Sequence, residues 1–219
     1  MARIRQAARR PRAKRRDSPP RGPATRERLL ATAARLFLEQ GYHGTAVSAI
    51  LAEAGVHAGS LYHCFESKEE LVQAVLEWYL GQLRPVVMDP VEAAESDPIE
   101  RVFRLLAFYR AYLQRSGFAH GCPIGNLALE LGDQIPAARA LIERNFENWA
   151  AAVASWLSAA RARLPSGTDA RALALFVLTT MEGAVMLARA RASLAPFDDA
   201  VAVLREHFRL LERAAKGRS

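Results

Sequence analysis

The sequence of 219 residues contains only two cysteines, Cys64 and Cys122, which lie far apart and form no Cys-x-x-Cys pair. This spacing argues against a disulfide framework and favours a reducing compartment, so we expect a cytoplasmic protein. The chain also lacks the His-Glu-x-x-His, Gly-x-Ser-x-Gly, phosphate-loop and metal-spaced Cys/His patterns of common catalytic sites. These absences predict a protein that is not an enzyme and has neither a metal nor a cofactor.

Strands and membrane spans are also missing from the pattern. No segment alternates apolar and polar residues like a half-buried strand, whereas apolar residues recur at helical spacing along most of the chain. The least polar stretch, residues 172–188, is short for a membrane span and contains Glu182, so it fits a helix buried between other helices. We therefore expect an all-α protein of about nine helices that makes no membrane contact.

Basic residues outnumber acidic residues by 30 to 23, but the excess is confined to the start of the sequence. Residues 1–22 contain nine Lys or Arg and one Asp, which leaves the rest of the chain close to neutral. Because this segment is rich in proline and has no apolar periodicity, we expect a disordered basic arm. The arm could grip DNA phosphates, or it could be a solvated tail with no specific role.

The segment from Thr45 to Phe65 has the pattern of two short helices joined by a tight turn. Thr45 is a good N-cap for a helix that ends at about Ala54, and Gly55 allows the chain to turn. The second helix keeps its apolar residues on one face and leaves a hydroxyl, a phenol and an imidazole on the other. Two such helices form a helix-turn-helix, whose outward polar groups can meet phosphates and base edges in a major groove.

Several short motifs stand in register around this segment, between residues 25 and 79. They are Leu36-Phe37 before Gly41-Tyr42, Gly44-Thr45, Ala54-Gly55-Val56, Gly59-Ser60-Leu61-Tyr62, and Phe65 followed by Lys68-Glu69-Glu70-Leu71. The set resembles the N-terminal domain of TetR-type transcriptional repressors, and departs from it at Ala58 and Cys64. The resemblance implies a sequence-specific DNA-binding regulator that a small apolar or aromatic ligand releases from its operator.

The same resemblance assigns DNA contacts to individual residues. Thr45, at a helix N-terminus, and Lys68, at the start of a linking helix, fall on positions that bind phosphates. The positions that reach the groove are His57, Gly59, Ser60, Tyr62 and His63. The Tyr62 ring could instead pack against its own helix, and Cys64 is expected to be a partly buried spacer.

The chain is thereby divided into the arm (1–22), a helix-turn-helix domain (23–66) and a helical effector-binding and dimerisation domain (67–219). We call the second part the head and the third part the body. The first helix is expected to end near Gln40. Ser67 and Glu70 form a predicted capping box for the next helix, which Pro85 is expected to stop. Further helices are predicted over 99–116, 127–131, 136–164, 169–193 and 198–214.

The last two helices carry apolar residues at helical spacing, which resembles the dimer interface of the family, although a single core helix would look similar. We expect a symmetric homodimer formed through Phe176, Met181, Ala184, Leu204 and Phe208. Because a two-fold dimer presents two recognition helices, its double-stranded DNA operator should be an inverted repeat.

Aromatic residues are frequent between the head and the dimer helices, and they either fill the core or line an apolar cavity. The predicted pocket residues are Trp78, Phe103, Tyr109, Tyr112, Cys122, Asn126, Phe146 and Trp149. A Gly-Cys-x-x-Gly-Asn turn like the one at 121–126 occurs in a TetR-type subgroup, where it borders the ligand cavity. Two alternatives remain: a DNA-binding dimer without a small-molecule effector, and an electrophile or redox sensor in which Cys122 has thiolate character.

Overall fold

Helices account for nearly all of residues 23–217, the part of the chain that this computed structural model describes. The helices are α1 (Pro23–Gly44), α2 (Val47–Ala54), α3 (Ala58–Cys64), α4 (Lys68–Gln82), α5 (Asp89–Ala94), α6 (Pro98–Arg115), α7 (Pro123–Leu131), α8 (Pro136–Ala159), α9 (Ala170–Arg191) and α10 (Ala195–Lys216). A π-helical turn (Leu83–Met88) joins α4 to α5 without a break. Residues 23–217 therefore form nine separate α-helical segments and no strand. The predicted all-α fold is confirmed, while the predicted basic arm lies outside the described residues.

The helix-turn-helix of the head follows the glycine pattern of the sequence. Gly41 has a φ of 77° and interrupts the helical geometry of α1 close to the predicted stop. Gly55 has a φ of 64° and ends α2 in the left-handed region, which allows the tight turn into α3. The prediction that Thr45 caps α2 is wrong, because Ala46 occupies that position and makes no side-chain cap.

The linking helix α4 begins as predicted but does not end as predicted. The Ser67 hydroxyl accepts a hydrogen bond from the Glu70 amide at 3.0 Å, while the Glu70 carboxylate accepts from the Glu66 amide, one residue before the expected donor. Pro85 does not stop the helix. The chain widens into the π-helical turn and continues into α5, since a wider turn accommodates the proline ring and its missing N–H.

Two hydrophobic cores hold the helices together, and α8 contributes to both. The first core joins α1–α4 to α7 and the first half of α8. The second joins the remainder of α8 to α5, α6, α9 and α10. Helix α7 therefore packs with the head although it follows α6 in sequence.

Helix α9 is the one helix in residues 23–217 that is long and apolar enough to cross a membrane by length and composition. Its inner face lies in the second core, and it makes extensive contacts with α8 and α10. This packing is the one expected for a helix between other helices.

Candidate DNA-binding surface and ligand cavity

The outer face of α3 presents the polar groups that the sequence predicted to reach DNA. Leu61 is fully buried and packs α3 onto the first core, so the opposite face of the helix is directed to solvent. Tyr62 is 62% exposed, so its ring does not pack away against its own helix. The predicted set lies on this face, with His57, Gly59, Tyr62 and His63 exposed and Ser60 half-buried. Cys64 is half-buried against the head core, in the position of a spacer.

The polar groups of the two predicted phosphate ligands, Thr45 and Lys68, lie instead against the end of α1. Thr45 is fully buried, and its hydroxyl donates to the carbonyls of Leu36 at 3.2 Å and Gly41 at 2.7 Å. The predicted phosphate contact of this hydroxyl is therefore wrong. The Lys68 ammonium donates to the Tyr42 carbonyl at 2.5 Å and lies 4.1 Å from the centroid of the Tyr42 ring. Both groups donate to carbonyls in the last turns of α1, where the Tyr42 carbonyl also accepts from the Thr45 amide at 3.2 Å. A phosphate contact of Lys68 stays a prediction.

Glu130, near the end of α7, also contacts the last residues of α1. Its carboxylate accepts a hydrogen bond from the His43 amide at 3.0 Å. A Cβ at Gly41 would lie 2.6 Å from this carboxylate, so a larger residue there would displace the Glu130 side chain and would also be strained by the positive φ. Burial lowers the pKa of Lys68, and the negative charge of Glu130 partly opposes that shift. Helix α7 is thus fastened to the turn that precedes α2.

A cavity of about 260 Å³ lies between α4, α6, α7, α8 and α9. Its walls are mainly aromatic and aliphatic, with aromatic rings from Trp78, Tyr79, Phe108, Tyr109, Tyr112, Phe146 and Trp149. Of the eight predicted pocket residues, the six that line it are Trp78, Tyr109, Tyr112, Cys122, Phe146 and Trp149.

Two predicted pocket residues do not reach the cavity. Phe103 packs edge-on against Phe208 in the second core, with ring centroids 5.6 Å apart. The Asn126 side chain points towards α9, where its oxygen accepts from the Arg189 guanidinium at 3.3 Å. The glycine-rich turn does lie at the cavity, but it contributes Gly121, Cys122 and Pro123 rather than the amide of Asn126.

The polar groups of the cavity wall tie the helices to one another. The Trp149 indole N–H donates to the Tyr109 hydroxyl at 3.1 Å and connects α8 to α6. The Asn145 amide donates to the carbonyl of Leu76 at 3.0 Å, which connects α8 to α4, and to the carbonyl of Leu141 at 2.9 Å. Asn145 was not among the residues predicted from the sequence, although an amide in the middle of an apolar helix is a recognisable sign of a buried polar contact.

Cys122 is the N-cap of α7, and its sulfur accepts a hydrogen bond from the Gly125 amide at 3.4 Å. Burial, together with the negative charge of Glu182, raises the pKa of the Cys122 thiol well above its ordinary value. A protonated thiol is a poor nucleophile, so this environment gives no support to the electrophile-sensor alternative. Glu182 itself lines the cavity, and the sequence had marked it only as a charge that interrupts an apolar stretch.

Four of the five predicted dimer residues lie inside the chain's own core. Met181, Ala184, Leu204 and Phe208 are buried, so they cannot meet a symmetry mate, and the prediction is wrong for them. Helix α9 is apolar on two sides, and its periodicity alone did not reveal which side packs inward. Phe176 is 48% exposed and does lie outside the core. The other large apolar side chains exposed on α9 and α10 are Leu175, Met186, Leu187, Val203 and Leu210.

A helix-turn-helix head that shares its core with a larger helical body and adjoins an aromatic cavity is an arrangement suited to a DNA-binding regulator. Comparison with known proteins identifies the family. The family model described as "Bacterial regulatory proteins, tetR family" matches residues 29–75. A second family model, described as "Transcriptional regulator LmrA/YxaF-like, C-terminal domain", matches residues 98–203.

Individual relatives agree with these matches. An uncharacterized HTH-type transcriptional regulator of Mycobacterium tuberculosis is 32% identical over 180 residues, which cover 79% of this chain and 88% of that relative. The HTH-type transcriptional repressor DhaR of Mycobacterium sp. strain GP1 is 36% identical over 57% of this chain and 61% of its own length. The crystal structure of a TetR transcriptional regulator from Chloroflexus aurantiacus has a TM-score of 0.73 and 35% identity, over 82% of this chain and 91% of that one. The chain belongs to the TetR family, and it is a DNA-binding transcriptional regulator rather than an enzyme.

Proposed function

We propose that the chain is a repressor that binds an inverted-repeat operator as a homodimer and leaves it when a small apolar or aromatic molecule enters the cavity. The observation that carries this proposal is the course of α4, which supplies Trp78 and Tyr79 to the cavity wall and begins at Lys68, beside the head. Relatives that are named as repressors, such as DhaR, support the sign of regulation. Binding to chromosomal DNA is in turn consistent with a cytoplasmic location.

Two helices can transmit the presence of a ligand to the head. At the cavity end, α7 begins with Cys122 and Pro123, and at the other end Glu130 holds the His43 amide. Helix α4 is held to α8 beside the cavity by the hydrogen bond between Asn145 and the Leu76 carbonyl. A ligand that displaces either helix therefore acts on the junction in front of α2 and shifts the population of heads able to bind DNA.

The proposed dimer forms through the outer faces of α9 and α10 rather than through the buried residues first expected. Leu187 is 47% exposed and Val203 is 73% exposed, although both are aliphatic. Large apolar side chains clustered on the surface of a monomer are typical of an interface. Two helices from each of two copies would form a four-helix arrangement around a two-fold axis, which places two heads on the half-sites of one operator.

A test of the ligand response needs an operator and a panel of small aromatic compounds. Genomic fragments that the purified full chain retains would provide the operator, and fluorescence anisotropy would then measure its release as each compound is added. We expect release by a subset of compounds, and loss of that response in Tyr109→Ala with ligand-free affinity retained. If Tyr109→Ala and Trp149→Ala both respond to the compounds as the wild-type protein does, the cavity is excluded as the ligand site and control by another partner is favoured.

A further inference from the structure

The cavity holds one acidic group whose hydrogen-bonding capacity the protein does not fill. Among its lining residues in the described part of the chain, Glu182 is the only Asp, Glu, Lys or Arg. One carboxylate oxygen, Oε1, is buried and has no hydrogen-bond partner within residues 23–217. The other, Oε2, lies against the first turn of α7, where a Cβ on Gly125 would come within 2.7 Å of it. Glycine at position 125 thus makes room for this carboxylate.

Neighbouring groups leave the negative charge of Glu182 largely uncompensated. Burial raises the pKa of this carboxyl, and a hydrogen bond with the Cys122 thiol only partly opposes the shift. The nearest cation along α9, Arg189, is directed elsewhere: it donates to Asn126 at 3.3 Å and to the Ala119 carbonyl at 3.2 Å. A half-buried carboxylate with one buried, unpaired oxygen and no cation beside it is costly, so this position favours a ligand that supplies both a donor and a positive charge.

The remaining wall suits a cation as well as an apolar body. Aromatic rings surround the space on several sides, and the charge of Glu182 is close enough to contribute to the raised pKa of Tyr109. Ring faces attract cations, and a charged donor on a carboxylate forms a stronger hydrogen bond than a neutral one. A cavity of about 260 Å³ lies slightly below the usual range for drug-sized ligands, which indicates a compact molecule with about one ring.

We propose that the cavity takes a lipophilic cation, a protonated amine on a compact aromatic or aliphatic body, with Glu182 as its counter-ion. This inference rests on the proposed ligand response and specifies the chemistry of the ligand. The ammonium would donate to the carboxylate, and the apolar body would lie among the rings of α4, α6 and α8. An anion of the same shape would be repelled, and a neutral analogue would leave the carboxylate unpaired.

Three probes of one shape separate these cases: 4-phenylbutylamine, 4-phenylbutanol and 4-phenylbutanoate. Their binding to the full-length protein is measured by titration calorimetry and by the change in tryptophan fluorescence, because Trp78 and Trp149 are in the cavity wall. We expect the amine to bind at least about tenfold more tightly than the alcohol, and the butanoate to bind most weakly. Equal binding of the amine and the alcohol by the wild-type protein would overturn the proposal, whatever any variant does.

The variant Glu182→Gln keeps the shape of the side chain and removes its charge. We expect it to lose about tenfold or more in affinity for the amine while its affinity for the alcohol changes less than about threefold. Glu143→Gln is the matched control, because it removes the same charge from an exposed position on α8, one of the helices that line the cavity. An amine preference that survives in Glu182→Gln would assign the preference to another group and contradict the proposal.

The outcome also separates this inference from the proposed function. Operator release by the alcohol as effective as release by the amine would retain the ligand response and reject the cation. Absence of binding by all three probes to the wild-type protein would reject the cation, while release by other aromatic compounds would still support the ligand response. The cation is supported only if charge on the probe and charge at position 182 act together.

Discussion

Two exposed surfaces of this molecule differ in chemistry, the outer face of α3 and the outer faces of α9 and α10. The first presents an imidazole, a hydroxyl and a phenol from His57, Ser60 and Tyr62. The second presents aliphatic and aromatic groups such as Leu187 and Val203. Hydrogen-bonding groups on a solvent-facing helix suit DNA, whereas apolar groups on such a helix suit another protein surface. The composition of an uncovered face therefore indicates its partner.

The largest expected effect tests whether α3 really has an inner and an outer side. Phe65, just after α3, is fully buried in the head core, so Phe65→Ala should destabilise the protein by about 3–5 kcal/mol. Tyr62→Ala is the control on the outer side and should change stability by less than about 0.5 kcal/mol. Chemical denaturation followed by circular dichroism measures both. Similar losses from the two substitutions would mean that the Tyr62 ring supports the head and is not free for DNA.

The next effect concerns the apolar surface formed by the outer faces of α9 and α10. Leu187→Glu should place charges in the proposed interface and raise the dimer dissociation constant about 100-fold, since an unpaired charge is costly at an apolar contact. Sedimentation velocity over a range of concentrations measures the shift. Leu129→Glu is the matched control, because Leu129 is 86% exposed and belongs to α7 rather than to α9 or α10. If the two variants dissociate alike, or neither does, the interface lies elsewhere.

A further substitution separates the inner from the outer side of α9. Ala184 is buried in the second core, so Ala184→Arg should lower the stability of the chain itself rather than merely divide a dimer. A cooperative loss of helix content at lower temperature would indicate the inner position. If Ala184→Arg is instead a monomer with wild-type thermal stability, Ala184 lies in the dimer interface and not in the core.

The polar surface predicts a smaller effect on DNA binding. Tyr62→Ala should weaken operator binding by about 1–3 kcal/mol without dissociating the proposed dimer, because the exposed ring is proposed to contact DNA and lies outside the core. Fluorescence anisotropy at fixed salt concentration measures the affinity. Affinity equal to that of the wild-type protein would remove Tyr62 from the contact surface.

The smallest expected effect concerns the contact between α7 and the head. Glu130→Ala removes the acceptor of the His43 amide, a loss of about 0.5–1.5 kcal/mol, and should lower both operator affinity and its response to ligand. Glu130→Gln keeps an acceptor oxygen and should remain close to wild type. Equal behaviour of the two variants would show that the contact does not couple the cavity to the head.

The sequence predicted those parts of the fold that local rules control. Gly41 interrupts α1 and Gly55 ends α2 where positive φ is needed, and Ser67 caps α4, because these effects depend on a few neighbouring residues. Pro85 did not end a helix, since a π-helical turn offered the backbone another solution. A rule about proline in an α-helix does not apply to a wider turn.

The prediction was weaker wherever long-range packing decides a side chain's role. The apolar periodicity of α9 is compatible with either side facing inward, so Met181 and Ala184 were assigned to the wrong surface. Thr45 was expected to face phosphate, but the break at Gly41 places the Gly41 carbonyl within 2.7 Å of its hydroxyl, which donates a hydrogen bond to it. The role of Glu182 depends on helices more than 50 residues away, although an isolated acid in an apolar stretch was a signal that could have been followed.

Footprinting on genomic fragments that the full chain retains tests the comparison of the two surfaces most directly. The polar surface predicts protection that disappears when Tyr62 and His63 are both replaced by alanine. The apolar surface predicts that the protected sequence is an inverted repeat, and that Leu187→Glu weakens protection of both half-sites together. Protection of a sequence without two-fold symmetry, or protection unchanged by the α3 double substitution, would contradict the account.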